Sequence, residues 1–141
     1  MDKVSSIMVG IKQVYNSAAS NTSSALFGVK LYHNHTESTT FPFVVYNVIS
    51  APNFYSMGTA NTAPNSYCIA RVQLSAMANE QQEAQGRAII DAVTQAFSFC
   101  TMSNTGHNFM ACYPGSESIA FFESDNKVWN NTKEFQVWVG D

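Results

Sequence analysis

Charge is what this sequence has least of. Only 12% of its 141 residues are Asp, Glu, Lys or Arg, about half of the ~25% usual for soluble domains. Asn, Ser, Thr and Gln fill the gap, so the surface is polar but weakly ionised and offers little repulsion between copies. Self-association follows naturally; a compositional habit without functional meaning is the other reading. Seven Lys and Arg stand against ten Asp and Glu, a formal net charge of −3, and the cations are scattered from Lys3 to Lys133. Without a cluster of cations to neutralise several phosphates, direct nucleic-acid binding is not expected.

Cysteine is also scarce. Cys68, Cys100 and Cys112 are odd in number and lack the paired spacing of metal or redox motifs, which argues against the disulfide framework of a small secreted domain and fits a reducing compartment. No stretch reaches the ~18 apolar residues needed to span a bilayer. The segment Met1 to Tyr15 is amphipathic, unlike the continuous apolar core of a signal peptide. The chain is therefore expected to stay in the cytosol where it is made, with no membrane partner. Sequons at Asn21, Asn34 and Asn130 are the chance yield of an Asn/Ser/Thr-rich chain. A phosphate loop, a nucleophile elbow, a zinc-protease helix and a calcium loop are all missing from the sequence.

What is present is apolar and aromatic: 45% hydrophobic residues, with ten Phe, six Tyr and two Trp, the residue types that anchor interfaces. The length suits one domain over residues 1–141, able to bury roughly two-thirds of its unfolded surface. Val4, Ile7, Met8, Ile11, Val14 and Tyr15 recur at three- and four-residue steps, predicting an amphipathic helix over about Lys3 to Ser17. A polar linker follows over Asn16 to Ser24, then a helical turn ending at Gly28. Val29 to His33 alternates apolar and polar, the period of a half-buried strand. Phe43 to Ile49 is β-branched and aromatic on both faces and reads as a central strand. Ala51 to Asn65, with two prolines and a glycine, reads as a long loop.

Beyond that loop, Cys68, Ala70, Val72, Leu74 and Ala76 share one strand face. Asn79 and Gln82 approximate a capping box for a helix running to about Phe97, whose buried stripe is Gly86, Ile89, Ile90, Val93, Ala96 and Phe97. Three more strands are predicted at Asn108 to Tyr113, Ser118 to Ser124 and Trp129 to Val139, with Asp125-Asn126 as a turn. The fold class is α+β: a mainly antiparallel sheet of four to six strands with two helices on one face, in the order α-β-β-β-α-β-β, the economical way to bury such a sheet.

Chemistry is hard to find. A nucleophilic cysteine needs a base within hydrogen-bond reach, and Cys68 lies on the predicted apolar face, where cysteine behaves as a small hydrophobe. His33 and His35 form His-x-His at a strand end, with Glu37 as the nearest third donor. Two imidazoles on one face suit a metal pair, but zinc wants three or four placed ligands, and an exposed loop pair is the commoner case. Catalytic residues, metal ligands and cofactors are not assigned. The sharpest hint is Phe54, Tyr55, Met57 and Tyr67, in or beside a loop that should be solvated. Exposed apolar tips there mark a partner surface, or else fold back and extend the core. The candidate interface is therefore Phe54, Tyr55, Met57, Tyr67, His33, His35 and Glu37.

The order of features resembles the tail-completion or tail-terminator (head-to-tail joining) proteins of long-tailed bacteriophages. The resemblance rests on the N-terminal amphipathic helix, the strand at Val29 to His33, "FPFVVYNVIS" at Phe41 to Ser50 and "YCIARVQLSAMA" at Tyr67 to Ala78. The helix "NEQQEAQGRAIIDAVTQAF" and the closing "KEFQVWVG" complete it. The chain departs from the pattern in its long loop Ala51 to Ser66. The resemblance implies a non-enzymatic ring, typically of six copies, at the head-proximal end of the tail, made in the host cytoplasm and carried in the virion. It would end tube growth and meet the tail-tube protein and the head connector or neck proteins. Such a ring needs a head-to-tail contact that closes by rotation. Another neck or tail-tube subunit is the nearest alternative; a small Cys/His-dependent hydrolytic or ligand-binding domain is the more distant one.

Overall fold

The fold is seen in a computed structural model, which describes residues 3–34, 40–55, 66–102, 109–115 and 119–140. Among these residues two helices and seven strands follow in the order α1 (Lys3–Ala19), β1 (Lys30–His33), β2 (Phe43–Ser50), β3 (Asn53–Tyr55), β4 (Ser66–Asn79), α2 (Glu83–Phe97), β5 (Phe109–Pro114), β6 (Ile119–Glu123) and β7 (Val128–Gly140). The α+β class, the dominance of antiparallel pairing and the placement of both helices are as the periodicities predict.

Two long strands form the spine. β4 and β7 pair antiparallel along their whole length, from Tyr67 opposite Gly140 to Asn79 opposite Val128. Each then shares its other edge between two shorter strands: β4 pairs with β2 and β3, β7 with β5 and β6. β1 closes one side by pairing parallel to β2. Alternation along the spine decides which face is buried. Cys68, Ala70, Val72, Leu74, Ala76 and Ala78 of β4, with Phe135, Val137 and Val139 of β7, are all buried. They join one core with Ile7, Ile11 and Tyr15 of α1 and Ile89, Ile90, Val93 and Phe97 of α2.

Two local expectations are corrected. The segment read as a loop over Ala51 to Asn65 contains β3, whose Asn53, Phe54 and Tyr55 pair antiparallel with Cys68, Tyr67 and Ser66. An edge strand of three residues needs few donors, so flanking prolines do not prevent it. Asn79 does not cap α2 but ends β4. Its backbone N–H donates to Gln82 Oε1 at 3.1 Å, and its own Oδ1 accepts from Gln81 N at 3.0 Å. The reciprocal pair thus tightens a strand-to-helix turn, and Gln82 precedes the helix without a side-chain cap.

Gly86 has a reason to be glycine. A Cβ there would stand 2.9 Å from the Asn131 amide nitrogen and 3.1 Å from Ala78 Cβ, so the missing side chain lets α2 lie close on the spine.

Two buried tyrosines make opposite predictions. The Tyr15 hydroxyl donates to the Val29 carbonyl at 2.8 Å and fastens α1 to the entry of β1, whereas the Tyr46 hydroxyl is buried with no partner among the described residues. Tyr15→Phe is expected to cost about 1–2 kcal/mol, and Tyr46→Phe to be neutral or slightly stabilising; urea unfolding of both variants checks this. Burial pushes the Tyr15 hydroxyl above its ordinary value of 10.0. Its contribution is therefore intact below pH 10 and is lost as pH rises further, because the unfolded chain ionises first. Tyr15→Phe should flatten that alkaline loss.

Candidate functional site: the uncovered sheet face

The helices cover one face of the sheet, and the other face carries a row of exposed aromatic groups. Residues that alternate with the buried set point to it: Tyr67, Arg71 and Gln73 from β4, Gln136 and Trp138 from β7, Tyr113 from β5. Tyr67 and Trp138 stack with ring centroids 6.3 Å apart and planes 9° from parallel. Tyr113 meets Trp138 edge-on at 6.1 Å, and Phe99 meets Tyr113 edge-on at 5.9 Å. The result is a row of four rings running across β4, β7 and β5 to the segment that follows α2. All four are exposed, Phe99 most of all at 72%. Phe99 stands there because its backbone takes a left-handed φ of 59°, turning the chain out of the helix so that Thr101 bridges to Ala111 of β5.

Below the row, Arg71 and Glu134 pair at 2.6 Å. Both are partly exposed, so the pair is worth little in stability and chiefly fixes two charges in the middle of the face. Ile119 and Phe121 of β6 add exposed apolar groups on the same strand neighbourhood.

The sequence-derived interface is only partly assembled by the fold. Tyr67 lies in the aromatic row. Phe54 and Tyr55 belong to β3, where the Phe54 backbone is paired with Tyr67. His33 is elsewhere: it ends β1 beside Tyr46, its ring stacked on that tyrosine at 4.9 Å, and Tyr46 is level with Leu74 rather than with Tyr67. His35, Glu37 and Met57 lie outside the described residues. Trp138, Tyr113 and Phe99 were not in the sequence-derived set. The signal for Trp138 was nonetheless there, since the alternation that buries Val137 and Val139 turns it outward.

Catalytic groups do not converge among the described residues. His33 is on edge strand β1 and Cys112 on the opposite edge strand β5, so the one described histidine is not beside a thiol. No three His, Cys, Asp or Glu side chains gather among the described residues to hold a metal ion. Among the described residues no helix is long and apolar enough to cross a membrane. Burial raises the Cys68 thiol, with a smaller opposing pull from Lys3, which makes it a poor nucleophile.

Cys100 and Cys112, however, are brought together, a pairing that their spacing in the sequence does not announce. The Cys112 backbone N–H donates to the Cys100 carbonyl at 3.0 Å, which sets the two residues opposite one another. Hydrogen bonding from the Cys112 thiol lowers the Cys100 thiol below its ordinary value against an opposing desolvation. The same interaction, together with burial, raises Cys112 strongly.

The fold class is thus an α+β domain with a two-strand spine, one face covered by α1 and α2 and the other free of cover among the described residues. No family model matches the chain, and no curated protein matches it. Among solved structures it is similar to a chain of the virion of a native gene transfer agent (GTA) particle. The TM-score is 0.69, over 94% of this chain and 93% of that one, at 9% sequence identity. At that identity the likeness is one of fold.

Proposed function

We propose that the chain is a structural virion subunit of phage type, a tail-terminator-like protein that forms a ring at the head-proximal end of a tail. The ring would stop growth of the tail tube and present a surface to the head connector. The observation that carries this reading is the fold similarity to a virion chain along nearly the full length of both proteins. The order of helices and strands that resembles tail-terminator proteins supports it independently. So does a weakly charged surface with an aromatic row on its open sheet face.

The role is non-enzymatic and takes no cofactor. Copies of the chain are its first partners, with six the number that the resemblance suggests; tail-tube and neck proteins are the others. Ring closure calls for two different surfaces on each copy. The open sheet face supplies one of them, and a strand edge or helix face of the next copy the other.

Size-exclusion chromatography with light scattering tests the reading, on the chain alone and mixed with a tail-tube protein. A discrete oligomer, or a monomer that becomes a ring at high concentration or on a tube end, is expected. Spontaneous long tubes would point instead to a tail-tube subunit, and a strict monomer that ignores both tube and connector proteins would overturn the reading. Because few charges are available, assembly should respond weakly to salt.

A further inference from the structure

The cysteine pair is not used by an assembly role, yet its geometry is specific. Thr101 faces Ala111 across an antiparallel bridge, so Cys100 and Cys112 are the opposed residues one step along. The bond from Cys112 N to Cys100 O at 3.0 Å marks them as a hydrogen-bonded position, where opposed Cα atoms stand about 5.5 Å apart. A disulfide usually spans Cα separations of ~4.4–6.8 Å. Both side chains lie on the helix side of the sheet, in the sense opposite to Phe99 and Tyr113, Cys112 in the core and Cys100 packed against it. Cys112 is fully buried, whereas Cys100 is partly exposed.

We propose that Cys100 and Cys112 form a redox-responsive dithiol, which a small-molecule disulfide of the glutathione type oxidises to an intramolecular disulfide. The Cys100 thiolate attacks one sulfur of the external disulfide, forming a mixed disulfide and releasing one thiolate. The Cys112 sulfur then attacks Cys100 Sγ, its proton passing to the leaving group, and a second small thiol departs. One external disulfide is reduced to two thiols while two protein thiols become one disulfide, so atoms and electrons balance. The division of labour follows from exposure: an accessible attacking thiol beside a buried resolving one. The Cys100 thiol, held below its ordinary value chiefly by Cys112, suits the first step.

The disulfide would tie the exit of α2 to edge strand β5, directly behind the exposed Phe99–Tyr113 contact. In a reducing compartment the pair stays as thiols, and in an oxidising one it closes.

The test uses the full chain, purified reduced and equilibrated across ratios of reduced to oxidised glutathione. It is then quenched in acid, unfolded, alkylated with N-ethylmaleimide and read by intact mass and peptide mapping. Expected is a species lacking two hydrogens and carrying one alkyl group, on Cys68, with a Cys100–Cys112 cross-linked peptide. Its melting temperature should rise by about 5–10 °C over the reduced form. Cys100→Ser should abolish both the mass loss and the rise. Three alkylated cysteines at every ratio would overturn the proposal. So would a cross-link through Cys68, or a glutathione adduct that persists on Cys100 without resolution.

Discussion

Phe135→Ala is expected to destabilise the fold by about 3–5 kcal/mol, a large part of the ~5–15 kcal/mol that holds a domain together. Phe135 is fully buried, opposite Val72 on the spine, and its ring lies 5.7 Å from that of Phe97 at the end of α2. It therefore touches the long strand pair and the helix laid across it. Truncation removes apolar contact from both and leaves a cavity that neither β4 nor α2 can fill without breaking strand register or helix packing. The neighbouring Gln136 provides the control, because it is exposed on the open face and its replacement by alanine should stay within about 0.5 kcal/mol. Thermal and urea unfolding of the two variants would separate them. Phe135→Ala should lose about 10–20 °C in melting temperature, and equal effects would mean that the alternation assigning these residues to opposite faces is wrong.

That alternation shows how much could be read in advance. The buried set of β4 and the closing Phe-x-Val-x-Val of β7 are legible because a strand against helices has a period of two and the residue types agree with it. The two helix stripes are legible by the same logic at a period near 3.6, although Val4 proves exposed while Ser6 and Gly10 are buried. Where residue type and position disagree, the pattern misleads. Asn131 and Lys133 belong to the helix-covered face and are buried, something only the continuity of β7 reveals. Contacts set by register are not legible at all. The parallel pairing of β1 with β2, the three-residue β3, the stacking of Tyr67 on Trp138 and the meeting of Cys100 with Cys112 all depend on which distant backbone lies alongside. The candidate site was thus half visible: Tyr67 was found by type and loop context, while the rings that make it part of a row were not.

Trp138→Glu should abolish assembly while leaving the subunit folded. Trp138 is central to the aromatic row, flanked by Tyr67 and Tyr113, on a face that neither α1 nor α2 covers. Within the subunit the change gives up two ring contacts worth about 0.5–1.5 kcal/mol each, without opening the core, because the indole is 37% exposed already. Across an interface the same substitution does more. A central Trp anchor is worth about 2–4 kcal/mol when truncated, a factor of roughly 30 to 1000 in the dissociation constant. Glutamate further adds a charge that burial would leave unpaired. Sedimentation velocity over a concentration series, beside a thermal melt of each variant, reads the two effects separately. The expected variant melts within several degrees of the parent yet sediments as a monomer at concentrations where the parent would form the proposed ring. Arg71→Ala, on the same face and engaged in a partly exposed pair with Glu134, should shift assembly far less. A Trp138→Glu chain that forms rings at the parent's concentration would show that copies join through the strand edges or the helix-covered side, and that the aromatic row is not the surface on which they meet.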